Sequence, residues 1–217
     1  PATTLLYKAF KTVNNTYPSY PAQSIGDCVS QSFGHGVDLL ACVEIAIGGE
    51  AETFKHTSTE FIYGTCRIDI GGGRINGDGA VGAWAAKAIN TIGTVSRELT
   101  GEYDGNKARE WGRRGVPDDL KVQAKDQKVL AVSLVSTWEE LKAAIANGYP
   151  VAVCSNQGFT MARDANGFCR PKGTWNHCML VVGYREDATP GACVMQSWGP
   201  NVPSGPTTLD QPDNTFW

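Results

Sequence analysis

The sequence predicts an α+β fold, with helices in the first part of the chain and antiparallel strands near its end. Two observations support this prediction. Apolar residues recur at helical spacing in segments before residue 148, whereas short apolar runs with the period of strands follow that residue. The 217 residues suffice for one large domain, or for two lobes around a shared cleft, with a buried core.

The N-terminal 25 residues are predicted to be extended and loop-like, because two prolines would break a helix there. A helix is predicted to begin at Cys28. Gly34 and Gly36 lie inside it and each costs about 1 kcal/mol relative to alanine, so we expect them to allow close packing against another backbone. The apolar face of this helix consists of residues at helical spacing, namely Val29, Phe33, Val37 and Leu40.

The middle of the chain has weaker signals. A glycine-rich loop is predicted at residues 69–80, with the sequence DIGGGRINGDGA. A short helix follows at residues 81–93, and Gly93 marks its end. Residues 101–128 are polar and are predicted to be irregular.

The clearest helix signal is the segment STWEELKAAIANG, which begins at Ser136. Ser136 or Thr137 can cap this helix, Glu139 or Glu140 can complete a capping box, and the final glycine ends it. The hydrophobic period then changes to that of strands, which are predicted at residues 149–155, 177–184 and 192–198.

Composition excludes several classes of function. The formal net charge of −3 provides no electrostatic basis for binding nucleic acid or an anionic membrane. The apolar runs are too short to span a bilayer, and no leader pattern opens the chain, so we expect a cytoplasmic or assembly-associated protein rather than a secreted one. The residues before Trp217 resemble a loop that leads into another strand, and we expect the natural protein to continue beyond it.

The seven cysteines form no C-x-x-C pair, which argues against a structural zinc site. Their number is odd, so at least one is unpaired in a monomer, and we expect mostly reduced, buried thiols, with one or two disulfides as the alternative. Asp69 and Asp78 lack the ligand spacing of a calcium loop, and the triple glycine lacks the lysine and hydroxyl residue of a phosphate loop. The sequence therefore predicts no metal and no organic cofactor.

Candidate chemistry centres on Cys28 and His177. A cysteine at a helix N-terminus beside an imidazolium has a lowered thiol pKa and becomes a good nucleophile. His177 lies far downstream, at the start of a predicted strand, and is placed to act as a base from the opposite wall of a cleft. Of the other histidines, His35 is predicted to be structural and His56 to lie at the surface.

Five segments together resemble the papain-like cysteine peptidases. They are QSIGDCVSQSF around Cys28, INGDGAVGAWAAKAINTIG, NGYPVAV, NHCMLVVGY and QSWG, in the order and at roughly the spacings of that family. The resemblance implies a helical left lobe at about residues 22–115. It also implies an antiparallel β-barrel-like right lobe at about residues 116–217, to which the N-terminal strand is added, and an active-site cleft between the lobes.

Residue roles follow from the resemblance, position by position. It implies that Cys28 is the nucleophile, that His177 is the base, and that Gln23 binds the oxyanion together with the backbone N–H of Cys28. Trp198 would shield the bond between His177 and the residue that orients it. The rim that pairs with the backbone of a peptide or protein substrate would contain Gly77, Asp78 and Gly79.

Three positions depart from the family's pattern. Gln196 occupies the place of the asparagine that orients the histidine, and it offers the same amide one methylene further out. Gln23 stands five residues before Cys28, one fewer than is usual, so the loop between them is short. Ile25 occupies the place of a cysteine, so the family's common disulfide in the left lobe cannot form in that way.

These observations support three hypotheses. The first is a cysteine peptidase that works through an acyl-enzyme and uses neither a metal nor a cofactor. The second is a catalytically silent papain-like fold that acts as a binding or structural module in a larger assembly, which Gln196 and the short Gln23 loop favour. The third is a transferase or deamidase that uses the same pair of residues.

Overall fold

The computed structural model describes residues 2–49, 53–187 and 189–217. The helices in chain order are α1 (Tyr7–Asn14), α2 (Cys28–Gly48), α3 (Thr59–Gly64), a π-helix (Thr65–Ile70), α4 (Gly82–Thr91), α5 (Arg97–Thr100), α6 (Gly105–Arg114), α7 (Asp118–Ala124) and α8 (Trp138–Ala146). The strands are β1 (Thr3–Leu5), β2 (Val151–Phe159), β3 (Pro171–Arg185), β4 (Gly191–Met195) and β5 (Thr215–Phe216). The predicted α+β class is confirmed.

The chain divides into two compact units that are interleaved in sequence. A helical unit comprises Gln23–Asp38 and Thr53–Leu134, and a β-containing unit comprises Pro1–Ala22, Leu39–Glu52 and Val135–Trp217. Because α2 contributes residues to both units, no single boundary along the chain separates them.

The helical unit packs around small residues. Gly34 lies so close to α3 that an added Cβ would stand 2.6 Å from Thr59 Cγ2 and 3.7 Å from Thr59 Cα, so the close contact at this glycine is with a side chain rather than with the predicted backbone. A core cluster joins α3 to the later helices through Phe61, Val95, Val116, Leu120 and Ala124.

Helices α6 and α7 occupy much of the segment that was predicted to be irregular, so that prediction is wrong. The Asp104 carboxylate caps α6 by accepting from the backbone N–H groups of Asn106 at 2.8 Å and Lys107 at 3.3 Å. The buried face of α6 consists of Gly105, Ala108 and Gly112, which carry almost no apolar side chain. A helix that packs through such residues leaves no hydrophobic pattern for the sequence to display.

The N-terminal segment also differs from the prediction, because α1 forms where a loop was expected. Its Tyr7 and Phe10 are buried one helical turn apart, which stabilises the helix by burying apolar surface. The last helical residue is Asn14, and Asn15 caps the helix with a left-handed φ of 59°. The first proline lies beyond this cap. The two prolines therefore follow the helix and do not interrupt it.

Helix α8 confirms the strongest local signal. Thr137 and Glu140 form a complete capping box, and Gly148 has a φ of +91° just beyond the last turn. The next strands confirm the predicted change of period.

The β-containing unit has an open, five-stranded antiparallel sheet built on the long β3. Strands β1 and β2 pair with β3, which also pairs with β4, and β4 pairs with β5. No pairing among the described residues joins β5 back to β1 or β2. The predicted barrel-like lobe is therefore corrected to an open sheet, because closing a barrel requires its edge strands to pair with each other.

Candidate active site

Cys28 is the first residue of α2, as predicted. The helix is 21 residues long, so its N-terminus carries the partial positive charge that favours a thiolate. The Cys28 side chain is partly exposed, unlike the buried thiols of Cys66 and Cys193. Burial raises the pKa of each of those two thiols to about 12, so neither suits a nucleophile.

The short segment between Gln23 and Cys28 curls back on itself. The Gln23 side-chain Nε2 and the Asp27 backbone N–H both donate to the carbonyl oxygen of Ile25, each at 2.9 Å. The Gln23 amide is therefore held over the turn that leads into α2. Because an amide nitrogen carries two hydrogens, this bond uses one of the two donors that Gln23 provides.

Asp27 is a functional candidate that the sequence reasoning missed. Its side chain is fully buried, and its Oδ2 accepts from Gln31 Nε2 and from the Tyr103 hydroxyl, each at 3.0 Å. Burial raises the pKa of Asp27 to about 6, although these hydrogen bonds act in the opposite direction. The sequence shows an acidic residue directly before the candidate nucleophile, but it shows neither the burial of that residue nor its partner Tyr103.

The predicted substrate rim is held by a second buried side chain that was missed. The guanidinium of Arg67, which lies in the π-helix, donates to the carbonyl oxygens of Ile75 at 2.9 Å and Gly77 at 2.7 Å. It also donates to the carbonyl of Gly79, whose N–H donates to the Tyr63 hydroxyl at 3.1 Å. Both backbone groups of Gly79 are thus engaged within the protein.

Asp78, the third predicted rim residue, pairs with Arg109 through two hydrogen bonds of 3.1 and 2.8 Å. This pairing holds the pKa of the Asp78 carboxyl below its usual range. The carboxylate also lies 3.4 Å from the backbone N–H of Gly26, which donates to it. Asp78 therefore links the rim to the segment before Cys28.

His177 is the seventh of the fifteen residues of β3 and not its first, because the strand begins earlier than predicted, at Pro171. It lies opposite Ser155 on β2 and is 6% exposed. A register shift directly beside this pair places an extra residue on β3, and such bulges redirect the neighbouring side chains. The His177 ring stacks on Trp198, with centroids 4.3 Å apart and planes 22° from parallel. Burial lowers the pKa of His177 to about 4, so the ring by itself is neutral at neutral pH.

Gln196 is buried and lies in the same unit as His177. Its Nε2 donates to the carbonyl of Asn201 at 3.0 Å, and its backbone N–H donates to the carbonyl of Asn214 at 3.1 Å. Within the described part of the chain, neither Gln196 Oε1 nor His177 Nε2 has a hydrogen-bond partner, although both atoms are buried. The bond that an orienting role requires is not formed in this structure, while an unpaired acceptor and an unpaired ring nitrogen are both present.

Comparison with solved structures identifies the fold. Xylellain, a cysteine protease from Xylella fastidiosa, matches with a TM-score of 0.67 and 19% identity over 100% of this chain and 79% of that one. The chain has the papain-like fold. The Carica candamarcensis cysteine protease CMS1MS2 matches with a TM-score of 0.59 and 20% identity over 93% of this chain and 84% of that one.

A third match is the digestive procathepsin L 3 of Tenebrio molitor larval midgut, with a TM-score of 0.61 and 18% identity over 93% of this chain and 61% of that one. No protein-family model matches the sequence, and no curated protein matches it either. At these identities the papain-like neighbours show the fold alone.

The cysteines on this papain-like fold include one disulfide, between Cys154 on β2 and Cys178 on β3. These residues lie directly opposite each other in the sheet, and Cys178 immediately follows His177. The alternative of one or two disulfides, which the cysteine pattern left open, is thus realised, and the other five cysteines, all of them among the described residues, form no disulfide. The disulfide connects the two strands next to the candidate base.

The other two histidines have ordinary structural surroundings. His35 is buried, and burial lowers its pKa to about 3, so it is neutral and packed within α2. His56 has a half-exposed side chain whose Nδ1 lies 2.9 Å from Asp38 Oδ2. The structural prediction for His35 and the surface prediction for His56 are confirmed.

Within residues 2–49, 53–187 and 189–217, no group of three or more His, Cys, Asp or Glu side chains is arranged to hold a metal ion. None of the helices in those ranges combines the length and the apolar character that a bilayer span requires.

Proposed function

We propose that the protein is a cysteine peptidase in which Cys28 attacks a peptide carbonyl and His177 transfers the protons. The observation that carries this proposal is the buried imidazole of His177, which is stacked on Trp198 with its Nε2 unpaired. Buried polar atoms in proteins nearly always have partners, and a catalytic role is one explanation of an exception. The papain-like fold supports the same reading.

The first half of the reaction forms the acyl-enzyme. The neutral His177 ring accepts the proton of the Cys28 thiol, and the sulfur then bonds to the substrate's carbonyl carbon while the carbonyl electron pair moves to oxygen. The Cys28 backbone N–H and the Gln23 side-chain amide donate to this oxyanion. When the intermediate collapses, the C–N bond breaks and the protonated His177 delivers its proton to the leaving amine.

The second half returns the enzyme to its starting state. His177 takes a proton from a water molecule, and the water oxygen attacks the thioester carbon. The S–C bond then breaks, and the Cys28 sulfur takes the proton from His177, which restores the thiol and the neutral ring. Gln196 accepts from His177 Nε2–H once the ring is charged, because a charge-assisted bond is stronger than a neutral one. This bond requires Gln196 Oε1, which has no partner among the described residues, to turn towards the ring.

Substrate binding falls to the backbone of the rim. A peptide would have to displace bonds to Arg67 and Tyr63 to pair with Gly79. The Gly77 carbonyl is also bonded to Arg67, so we expect the peptide backbone to pair with Asp78 or with the N–H of Gly77. The rigidity that Arg67 provides should favour binding, because less conformational entropy is then lost on association.

Active-site titration tests this proposal. A peptidyl fluoromethylketone or epoxide should label Cys28 at one equivalent per chain at neutral pH and abolish cleavage of a peptide substrate. Cys28→Ala and His177→Ala should each remove both labelling and turnover, whereas Cys169→Ala, a matched cysteine variant in the β-containing unit, should retain them. No labelling of the wild-type chain would rule out the peptidase.

A second candidate is a catalytically silent papain-like module that binds a partner in a larger assembly. It is favoured by the presence of Gln196 where the family has asparagine and by the short loop between Gln23 and Cys28. It predicts folded protein that is not labelled by the same probes. A transferase would instead label normally and form a new amide product when an amine is added to the peptide substrate.

A further inference from the structure

The segment Gln23–Asp27 carries one of the proposed oxyanion donors and leads directly to the other, the Cys28 N–H. It lacks the cysteine through which the related family tethers this segment, because Ile25 stands in its place. Its conformation therefore depends on noncovalent contacts. Besides the hydrogen bond from the Gly26 N–H to Asp78, the structure shows a contact from outside the segment at its start and another at its end.

Tyr103 makes both of these contacts with a single hydroxyl group. The hydroxyl accepts from the backbone N–H of Ser24 at 3.0 Å and donates to Asp27 Oδ2 at 3.0 Å. Gln31, one turn further along α2, donates to the same carboxylate oxygen at 3.0 Å. The segment is thereby connected across its ends and to the body of the helix.

Packing limits the segment from the same side. Gly105, the first residue of α6, lies so close that an added Cβ would stand 2.0 Å from Ser24 Oγ and 3.2 Å from Ile25 Cγ2. Because Tyr103 comes two residues before Gly105, the start of α6 and the Tyr103 side chain support the segment together. The contact is close and includes a polar anchor at each end.

An ionised Asp27 fixes the direction of this anchor. A carboxylate only accepts, so the Tyr103 hydroxyl must donate to it and must use a lone pair for Ser24 N–H. The charged groups around Asp27 and Tyr103 include Glu60 and Arg97, which pair with each other at 3.0 Å, and Arg109, which pairs with Asp78 at 2.8 Å. The charges within each pair compensate each other, so Asp27 is the acid that sets the polarity of this network.

We propose that Asp27 and Tyr103 are positioning residues that hold Gln23–Asp27 so that the Gln23 amide and the Cys28 N–H converge on the oxyanion. This inference rests on the proposed peptidase function. Neither residue touches the substrate. Donors fixed before the reaction stabilise the oxyanion without reorganisation, and loosening the segment that carries them sacrifices part of that stabilisation.

Tyr103→Phe tests the proposal because it removes only the bridging oxygen. Three readouts depend on the oxyanion site to different degrees. We expect kcat to fall about 10-fold, as for the loss of one hydrogen bond to a charged group, and KM to stay within about 2-fold. A peptide aldehyde forms a hemithioacetal with Cys28 whose oxygen occupies the oxyanion site, so it should bind about 10-fold more weakly. Alkylation of Cys28 by iodoacetamide, which forms no oxyanion, should proceed at the wild-type rate.

Two further variants complete the test. Tyr149→Phe removes an exposed tyrosine hydroxyl from the β-containing unit and should leave all of these values unchanged. Asp27→Asn keeps the shape of the side chain but can present either an N–H or an oxygen to Tyr103, so it should reduce kcat and weaken the aldehyde as Tyr103→Phe does. Together, Tyr103→Phe and Asp27→Asn should reduce kcat by less than the product of their separate effects.

The outcomes distinguish a failure of the positioning role from a failure of the peptidase function. If the wild type cleaves peptides and Tyr103→Phe retains full kcat and aldehyde affinity, the positioning role is wrong and the peptidase stands. If Tyr103→Phe slows iodoacetamide as much as it slows turnover, the pair acts on the nucleophile in general and the proposal is also wrong. If the wild type is neither labelled nor active, the peptidase fails and the positioning role fails with it.

Discussion

Replacing Asp27 by asparagine should make the stability of this protein less sensitive to pH. Asp27 is fully buried, and burial raises the pKa of its carboxyl to about 6 from a reference value of 3.8. The folded state therefore binds the Asp27 proton more tightly than the unfolded state does. Stability from this group is fully present below pH 3.8 and is lost as pH rises through 6.

The magnitude follows from the difference between the two pKa values. A shift of about 2 units corresponds to about 3 kcal/mol of unfolding free energy at pH 8, and about 1 kcal/mol of it is already lost at pH 4.5. Asparagine cannot ionise, and its side chain has nearly the same size and shape as that of aspartate. The variant's stability relative to wild type should therefore rise by about 2 kcal/mol between pH 4.5 and pH 8.

Urea denaturation of both proteins at the two pH values measures this difference. His35 and His177 also titrate differently in the folded and unfolded states, but their contributions are the same in both proteins and cancel. Any fixed cost of the asparagine N–H₂ group cancels as well, because it does not depend on pH. A relative stability that stays constant between pH 4.5 and pH 8 would show that folding does not raise the pKa of Asp27, and would refute this prediction. If the effect is found, the fold keeps a destabilising acid, which the positioning role would explain.

Three further predictions concern the site and the fold. Gln196→Ala should lower kcat about 10- to 100-fold with the fold intact, for loss of a charge-assisted hydrogen bond, and unchanged turnover would remove Gln196 from the mechanism. Limiting iodoacetamide at pH 6 should alkylate Cys28 first, as read by peptide mapping, and His177→Ala should abolish that preference because the helix dipole alone contributes at most about 2 kcal/mol. Gly93→Ala should destabilise the protein by about 3 kcal/mol or more in urea denaturation, since an added Cβ would lie 1.9 Å from a backbone oxygen at a φ of +105°. Gly101→Ala, where φ is +75° but the space is open, should cost about 1–2 kcal/mol, and equal costs at the two glycines would contradict this packing.

Local signals determined the elements that the sequence predicted correctly. Helix α8 has its capping box and its terminal glycine within one short segment, and the strands that follow it contain short apolar runs. The start of α2 at Cys28 is marked by the glycine-containing turn before it. His177 stacks on Trp198, while the shielding role of Trp198 stays a prediction. In each case a few neighbouring residues, or a motif with a known spacing, contain the whole signal.

Only the tertiary structure decided the remaining features, because they depend on contacts between residues that no local sequence pattern connects. Helix α6 forms through glycines and an alanine that need a partner surface, and the sheet stays open because of which strands pair. Tyr103 meets Ser24 and Asp27 across a sequence separation of more than 70 residues, and Arg67 reaches the rim from a π-helix. A hydroxyl or a guanidinium displays no pattern in the sequence that names its partner. Its role is determined when folding brings the two groups within hydrogen-bond distance and removes water from around them.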